Sequence, residues 1–307
     1  MKQIAVCPCD IPEELREGLA QLCENEGFCI DVEGLPLYAR RAEHYRVQRQ
    51  PDALRVEYDR PVQFFRALSL LKTPQTAPDC PERPPVFKHD GVMLDCSRNG
   101  VLRPESIRMI LRKMALMGLD TLMLYTEHTY EIQGRPYFGS LPGRSTPPDF
   151  PRPDAYAAAL GIELIPCIQT LGHMARALRW PCMAGLRDTD DVLLTDSPET
   201  YALLAEMLAA ASAPFASRRI HIGMDEAAHL GRGRYRDIHG PADSFSLMFR
   251  HLDKVCPICR QNGFTPMMWS AMFFHLVGDG PKPEAALPSH NPQPVPHSVD
   301  LASQDYP

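Results

Sequence analysis

No stretch of this 307-residue chain approaches the roughly 20 consecutive apolar residues that cross a bilayer. Its first ten residues hold one Lys and an apolar run of only four, Ile4 to Cys7, which is too short for a secretory signal. There is no surplus of positive charge either. The 32 Lys and Arg stand against 38 Asp and Glu, a net charge of −6, so no basic field is available to hold a nucleic acid. A glycine-rich phosphate loop and a dinucleotide fingerprint are both missing from the strand-to-helix junctions where they work. The expectation is a cytoplasmic protein with no membrane or nucleic-acid partner.

The 10 cysteines, without a signal, read as reduced thiols rather than a disulfide framework. Cys7-x-Cys9 and Cys256-x-x-Cys259 could together offer four thiolates to zinc. One spacing is unusual, however, and the pairs lie about 250 residues apart, unlike those of zinc ribbons. Buried cysteines are expected instead. What the chain has in excess is proline, 31 residues against a usual share of ~5%. More than half of them fall in 74–85, 142–153 and 281–307. The first group reads as a linker. It separates a small α+β region, residues 1–85, in which no chemical motif is found, from residues 86–307.

After the linker, short apolar runs alternate with helix-period segments. Strands are expected at 91–95, 121–125, 162–168, 219–225 and 265–269, with a sixth at 296–301. Helices are expected at 104–117, 198–211 and 243–262, the first opened by Pro104 and stopped by Gly118. Nearly continuous apolar strands alternating with helices imply a parallel sheet buried on both faces. Polar residues gather where these strands end: Asp95 and Arg98, Glu127 and His128, Gln169 and His173, Asp225 and Glu226, Trp269 and Ser270. Successive strands ending in functional side chains are the arrangement of a (β/α)8 TIM-type barrel, whose active site lies at that face. A doubly wound sheet would concentrate its site at one switch point.

The pair Asp225-Glu226 is the chemical centre of this reading. On a strand, His221, Gly223 and Asp225 share one face, and Ile220, Ile222 and Met224 the other. Glu226 at the strand end can turn into the same mouth. Like charge and desolvation are expected to raise the pKa of one of the two carboxyls, leaving an acid able to protonate a leaving group near neutrality. Two adjacent acids before a glycine-rich loop can also simply open a helix. Metal chemistry is a further alternative, since His173, His221, Asp225, Glu226 and His229 could be ligands. It lacks a second Glu-x-x-His segment to complete it.

The run His221-Ile222-Gly223-Met224-Asp225-Glu226, followed by Gly231-Arg232-Gly233-Arg234-Tyr235, resembles the signature of the family 20 glycoside hydrolases. It is most similar to their hexosaminidase D-like branch. The stretches 91–98, 161–174 and 267–274 resemble the same family in the same order. The resemblance implies removal of terminal β-linked N-acetylhexosamine without cofactor or metal, by substrate-assisted catalysis with retention, an exception to the two-carboxylate scheme. It implies that Asp225 orients the sugar's 2-acetamido group and that Glu226 protonates the departing oxygen and then deprotonates water. Arg98 would grip ring hydroxyls. Glu127 and His173 would form a relay setting the protonation of Glu226. Trp269 and Tyr306 would supply aromatic walls.

Three departures accompany the resemblance. Five prolines between 142 and 153 confine the helix there to 154–160. Ala271 stands where the family pattern tends to have an acid. Only six strands can be found, so the barrel is expected to be incomplete, with open edges that invite self-association and impair activity. An amino-sugar-binding remnant without catalysis is the alternative from another class.

Overall fold

Residues 35–58 alternate in burial: Leu37 and Ala39 are covered while Arg40 is not, and Leu54, Val56 and Tyr58 are covered while Arg55 is not. That period of two is the mark of a sheet with one packed face. In the computed structural model, which describes residues 3–73, 87–98, 100–140, 151–212, 214–270 and 299–302, the sheet has five strands. They are β1 (Ile4–Asp10), β2 (Phe28–Ile30), β3 (Leu35–Arg41), β4 (Arg46–Arg49) and β5 (Leu54–Tyr58), arranged β2-β1-β3-β5-β4. All neighbours are parallel except β4 and β5. The helices α1 (Arg16–Asn25) and α2 (Pro61–Ser69) supply Leu19, Leu22, Phe64, Phe65 and Leu68 to the core beneath it. Pro61 suits the first turn of α2, and the Gln63 side chain caps that turn by accepting from the backbone N–H groups of Asp59 and Arg60.

Six further strands follow the linker: β6 (Gly91–Asp95), β7 (Thr121–Tyr125), β8 (Glu163–Cys167), β9 (Arg219–His221), β10 (Thr265–Trp269) and β11 (Asp300–Ala302). They lie in chain order across one parallel sheet. Between them run α3 (Pro104–Met117), α4 (Pro151–Ala159), α5 (Ala175–Leu178), α6 (Pro198–Ser212), α7 (Arg234–His239) and α8 (Ser244–Gln261). This is an incomplete (β/α)8 barrel, the fold class expected from the sequence. The carboxylate of Asp243 accepts from the Ser246 N–H at 2.8 Å and so starts α8. Its apolar stripe, Leu247, Met248, Leu252, Val255 and Cys259, is buried.

By compactness the chain divides into two units. One comprises residues 1–93, 102–122 and 149–164, the other 94–101, 123–148 and 165–307. Every side chain discussed below as part of the site lies in the second.

Several local expectations change. The helix expected at 154–160 begins at Pro151, because prolines are tolerated in a first turn whose N–H groups have no intrahelical partner. The strand expected at 219–225 keeps regular pairing only to His221, and Gly223 and Met224 turn to positive φ. Simple alternation of faces therefore stops short of Asp225. The sixth strand is Asp300–Ala302, shorter and later than 296–301, of which residues 296–298 lie outside those described. Among the described residues no helix is long and apolar enough to cross a membrane, and no three His, Cys, Asp or Glu side chains gather as metal ligands.

The first unit contains a testable buried charge. Glu26 is almost fully covered and accepts from Arg112 Nε at 3.2 Å and Lys113 Nζ at 2.6 Å. Glu26→Ala removes both bonds, although Lys113 is largely exposed and Arg112 keeps a bond to the Tyr156 hydroxyl, so it should lower unfolding stability by about 1–3 kcal/mol. Urea titration checks this, and a change below about 1 kcal/mol would mean that Arg112 recovers water or another partner.

Candidate active site

Past His221 the chain leaves β9 but stays beside β10: Ile222 N–H donates to Met267 O at 2.8 Å, and Trp269 N–H to Gly223 O at 3.3 Å. The backbone then winds through left-handed conformations at Gly223 (φ 71°), Met224 (φ 65°) and Glu226 (φ 50°). His173, in the loop after β8, is also left-handed at φ 55°. Thus three of the four non-glycine residues with positive φ among those described are Met224, Glu226 and His173. Each conformation costs about 1–2 kcal/mol, and such strain collects where function demands a particular side-chain direction.

The turn is braced by Gln169, wholly buried at the end of β8. Its amide nitrogen donates to Asp225 Oδ1 at 2.8 Å and to the Tyr125 hydroxyl at 3.0 Å, and its oxygen accepts the Met224 N–H at 3.3 Å. Gly223 makes this possible, since a Cβ there would collide with the Gln169 amide. On the other side, His173 Nε2 donates to Asp225 Oδ2 at 3.2 Å and lies 3.5 Å from Glu226 Oε2. One imidazole therefore bridges the two acids.

A second cluster continues from Tyr125. Its hydroxyl donates to Glu127 Oε1 at 2.9 Å and accepts from Arg98 Nη2 at 3.0 Å, while Arg98 Nε donates to the same Glu127 oxygen at 3.0 Å. Asp95 holds the Arg98 turn by accepting from the N–H groups of Ser97 and Arg98. An unbroken chain of hydrogen bonds thus runs from Arg98 through Tyr125, Gln169 and Asp225 to His173. Burial alone would push the Asp225 carboxyl up, but the bonds from His173 and Gln169 and the nearby imidazole charge outweigh it and hold the group below its ordinary value. His173 moves the other way, raised chiefly by its bond to Asp225 against the opposing effect of burial.

Of the residues expected from the sequence, Arg98, Glu127, His173, Asp225 and Glu226 fall in this one network. Glu127 and His173, expected to form a relay, share no direct hydrogen bond among the described residues: Glu127 bonds to Arg98 and Tyr125, and His173 to the acid pair, so they are linked only through Tyr125, Gln169 and Asp225. The expected rise in the pKa of one acid is not found at Asp225, because its partners overcome desolvation. The Glu226 side chain is 64% exposed. Trp269 is buried against His221, with ring centroids 4.4 Å apart. His221 accepts the Gly223 N–H on Nδ1 at 3.1 Å, and burial depresses its pKa to about 4, so it stays neutral. Tyr306 lies outside the described residues. Gln169 and Tyr125 carry roles the sequence reading did not assign; their one signal is position at the end of a strand.

The opposed shifts of Asp225 and His173 make a pH prediction. The Asp225 contribution to stability is present above the ordinary Asp pKa of ~3.9 and is lost as pH falls through its lowered folded value. The His173 contribution is present below the ordinary His pKa of ~6.5 and is lost as pH rises through its raised folded value. The stability difference between the protein and Asp225→Asn should therefore peak between about pH 4 and 6.5 and shrink by about 1–2 kcal/mol on either side. Urea unfolding across pH measures it, and a pH-independent difference would contradict the pairing.

A scan of known protein families finds no model that matches the chain. Human and bovine hexosaminidase D are each 31% identical to it over 127 residues, 38% of this chain. The matched stretch spans 26% of the human protein and 37% of the bovine one. The fold likeness is broader. An exo-β-N-acetylglucosaminidase of family 20 from Vibrio harveyi superposes with a TM-score of 0.73 at 17% identity, covering 99% of this chain and 55% of that one. The family 20 β-N-acetylhexosaminidase of Streptomyces coelicolor A3(2) gives 0.69 at 19% identity, covering 87% and 62%. Over that stretch the chain is similar in sequence to the two hexosaminidase D proteins, and over most of its length its fold is like that of the two family 20 enzymes.

Proposed function

We propose that the chain carries the chemical centre of an exo-acting glycoside hydrolase that releases terminal β-linked N-acetylhexosamine, with Asp225 and Glu226 as its catalytic pair. The observation carrying this reading is the imidazole of His173 set between the two acids, 3.2 Å from Asp225 and 3.5 Å from Glu226. It gives two neighbouring carboxyls different surroundings, which is how two acids acquire different roles. The names of the relatives, hexosaminidases and N-acetylglucosaminidases, point to the same substrate class.

Asp225, kept ionised, suits a group that accepts the N–H of a 2-acetamido substituent and stabilises positive charge developing on it. The acetamido oxygen attacks the anomeric carbon as the glycosidic bond breaks, and the leaving oxygen takes the proton of Glu226. An oxazolinium ion results. Water then attacks the anomeric carbon, gives its proton to Glu226 and restores the acetamide with retained configuration. Because the nucleophile belongs to the substrate, the protein's task is mainly to hold geometry and charge. The braced, strained turn at 223–226 suits that task. Arg98, its guanidinium half-exposed beside Glu127, is placed in this reading to meet sugar hydroxyls.

Release of p-nitrophenol from p-nitrophenyl β-N-acetylglucosaminide tests the proposal. Turnover should fall about 100-fold or more in Glu226→Gln, which keeps the shape but cannot transfer the proton, and it should withstand EDTA. Folded protein that binds N-acetylglucosamine yet shows no turnover would sink the catalytic reading and leave a sugar-binding one.

A further inference from the structure

The Gly-Arg-Gly segment at 231–233 has no part in the chemistry above, yet it lies only a few residues beyond Glu226. Its reason is Asp188, a buried carboxylate on a hairpin closed by the Arg187–Leu193 bridge. Asp188 Oδ2 accepts the Gly231 N–H at 2.6 Å, and Oδ1 accepts the N–H groups of Gly233 at 3.2 Å and Tyr235 at 2.8 Å. The Asp188 carbonyl accepts a fourth N–H, that of Arg234, at 2.9 Å. So close an approach requires glycine: a Cβ on Gly233 would collide with the backbone carbonyl of Asp188.

The same hairpin grips the loop that carries His173. Leu193 N–H donates to Leu171 O at 3.0 Å, and Met174 N–H donates to Asp191 O at 2.9 Å, one residue from His173. Gly172 lies against the backbone of Asp225, with no room for a Cβ. Residues 187–194 thus tie the histidine loop and the loop after the acid pair to each other, and the charged member of the tie is Asp188. No cation is paired with it among the described residues; a buried carboxylate accepting several backbone N–H groups is satisfied by those dipoles alone.

We infer that Asp188 is a positioning residue for the acid pair: by accepting the backbone N–H groups of 231, 233 and 235 it sets where Glu226 stands relative to His173. The inference rests on the proposed hydrolase function for its kinetic consequence but not for its structural one. Asp188→Asn keeps the shape. Its oxygen can still accept from Gly233 and Tyr235, but its amide N–H2 faces the Gly231 N–H, donor against donor. Asp188→Ala removes all three side-chain bonds.

The test uses the full chain, with turnover of p-nitrophenyl β-N-acetylglucosaminide and NMR titration of the His173 ring. A displacement of about 1 Å at a reacting group is enough for about 100-fold in rate. In Asp188→Ala, kcat should fall by that order while KM stays within about threefold, with a smaller fall in the same direction for Asp188→Asn. The His173 titration should move down toward the ordinary histidine value in both variants. Hydrogen exchange at the amides of Gly231, Gly233 and Tyr235 should accelerate. If Asp188→Ala does not fold, Asp188→Asn carries the test. If the parent protein has no turnover, the hydrolase reading has failed and the titration decides the positioning inference by itself. Variants that lose thermal stability yet keep kcat and the His173 titration would make Asp188 a fold-holding residue only and overturn the inference.

Discussion

The amide of Gln169 reaching across to Asp225 is the contact on which the rest of the site depends. It joins the end of β8 to the turn after β9, and the three bonds of its side chain reach two other segments of chain, Tyr125 of β7 and the 224–225 turn. Two flanking features follow from it. Gly223 has no side chain because the amide occupies that space, and Met224 accepts a left-handed backbone because its N–H is needed by the amide oxygen. With Asp225 held by Gln169 and His173, its carboxyl stays below its ordinary value in a place where burial alone would raise it. A polar network of this kind stabilises only when every member is satisfied. Here each of the central atoms has a partner.

The network also orders the supporting layers by distance from the acids. Tyr125 and Glu127 orient Arg98. Beyond them the 187–194 hairpin fixes the loops that bear His173 and follow Glu226, using a buried carboxylate and backbone dipoles instead of a salt bridge. Function on loops held by a rigid sheet is the general habit of barrels, and the sheet here supplies ordered strand ends from β6 to β10. The strain at 173, 224 and 226 is affordable because so many bonds determine those positions.

Much of this was legible in the residues themselves. Apolar runs at 91–95, 121–125 and 265–269 match observed strands, since a buried parallel strand needs little more than an apolar run of suitable length. Helix 104–117 was legible from Pro104 and Gly118, whose backbone preferences act locally. The gathering of Arg98, Glu127, His173, Asp225 and Glu226 followed from a topological rule about strand ends rather than from any contact. Where the structure departs from the expected elements, the cause is local and specific. Positive φ at Gly223 and Met224 ends the alternation expected to 225, and Pro151 opens the helix expected at 154.

By itself, the sequence determined the fold class and which polar residues stand at successive strand ends, because both rest on periodicity and chain order. Only the tertiary structure decided who pairs with whom. Glu127 and His173 are equally plausible partners on paper, yet one serves Arg98 and the other the acids. Gln169, named in the sequence only as a strand-end residue, and Asp188, not named there at all, brace the site through contacts spanning 56 and 45 residues respectively. Hydrogen bonds and pKa shifts depend on distances of a few tenths of an ångström and on burial by distant segments. No local pattern of residue types encodes those quantities.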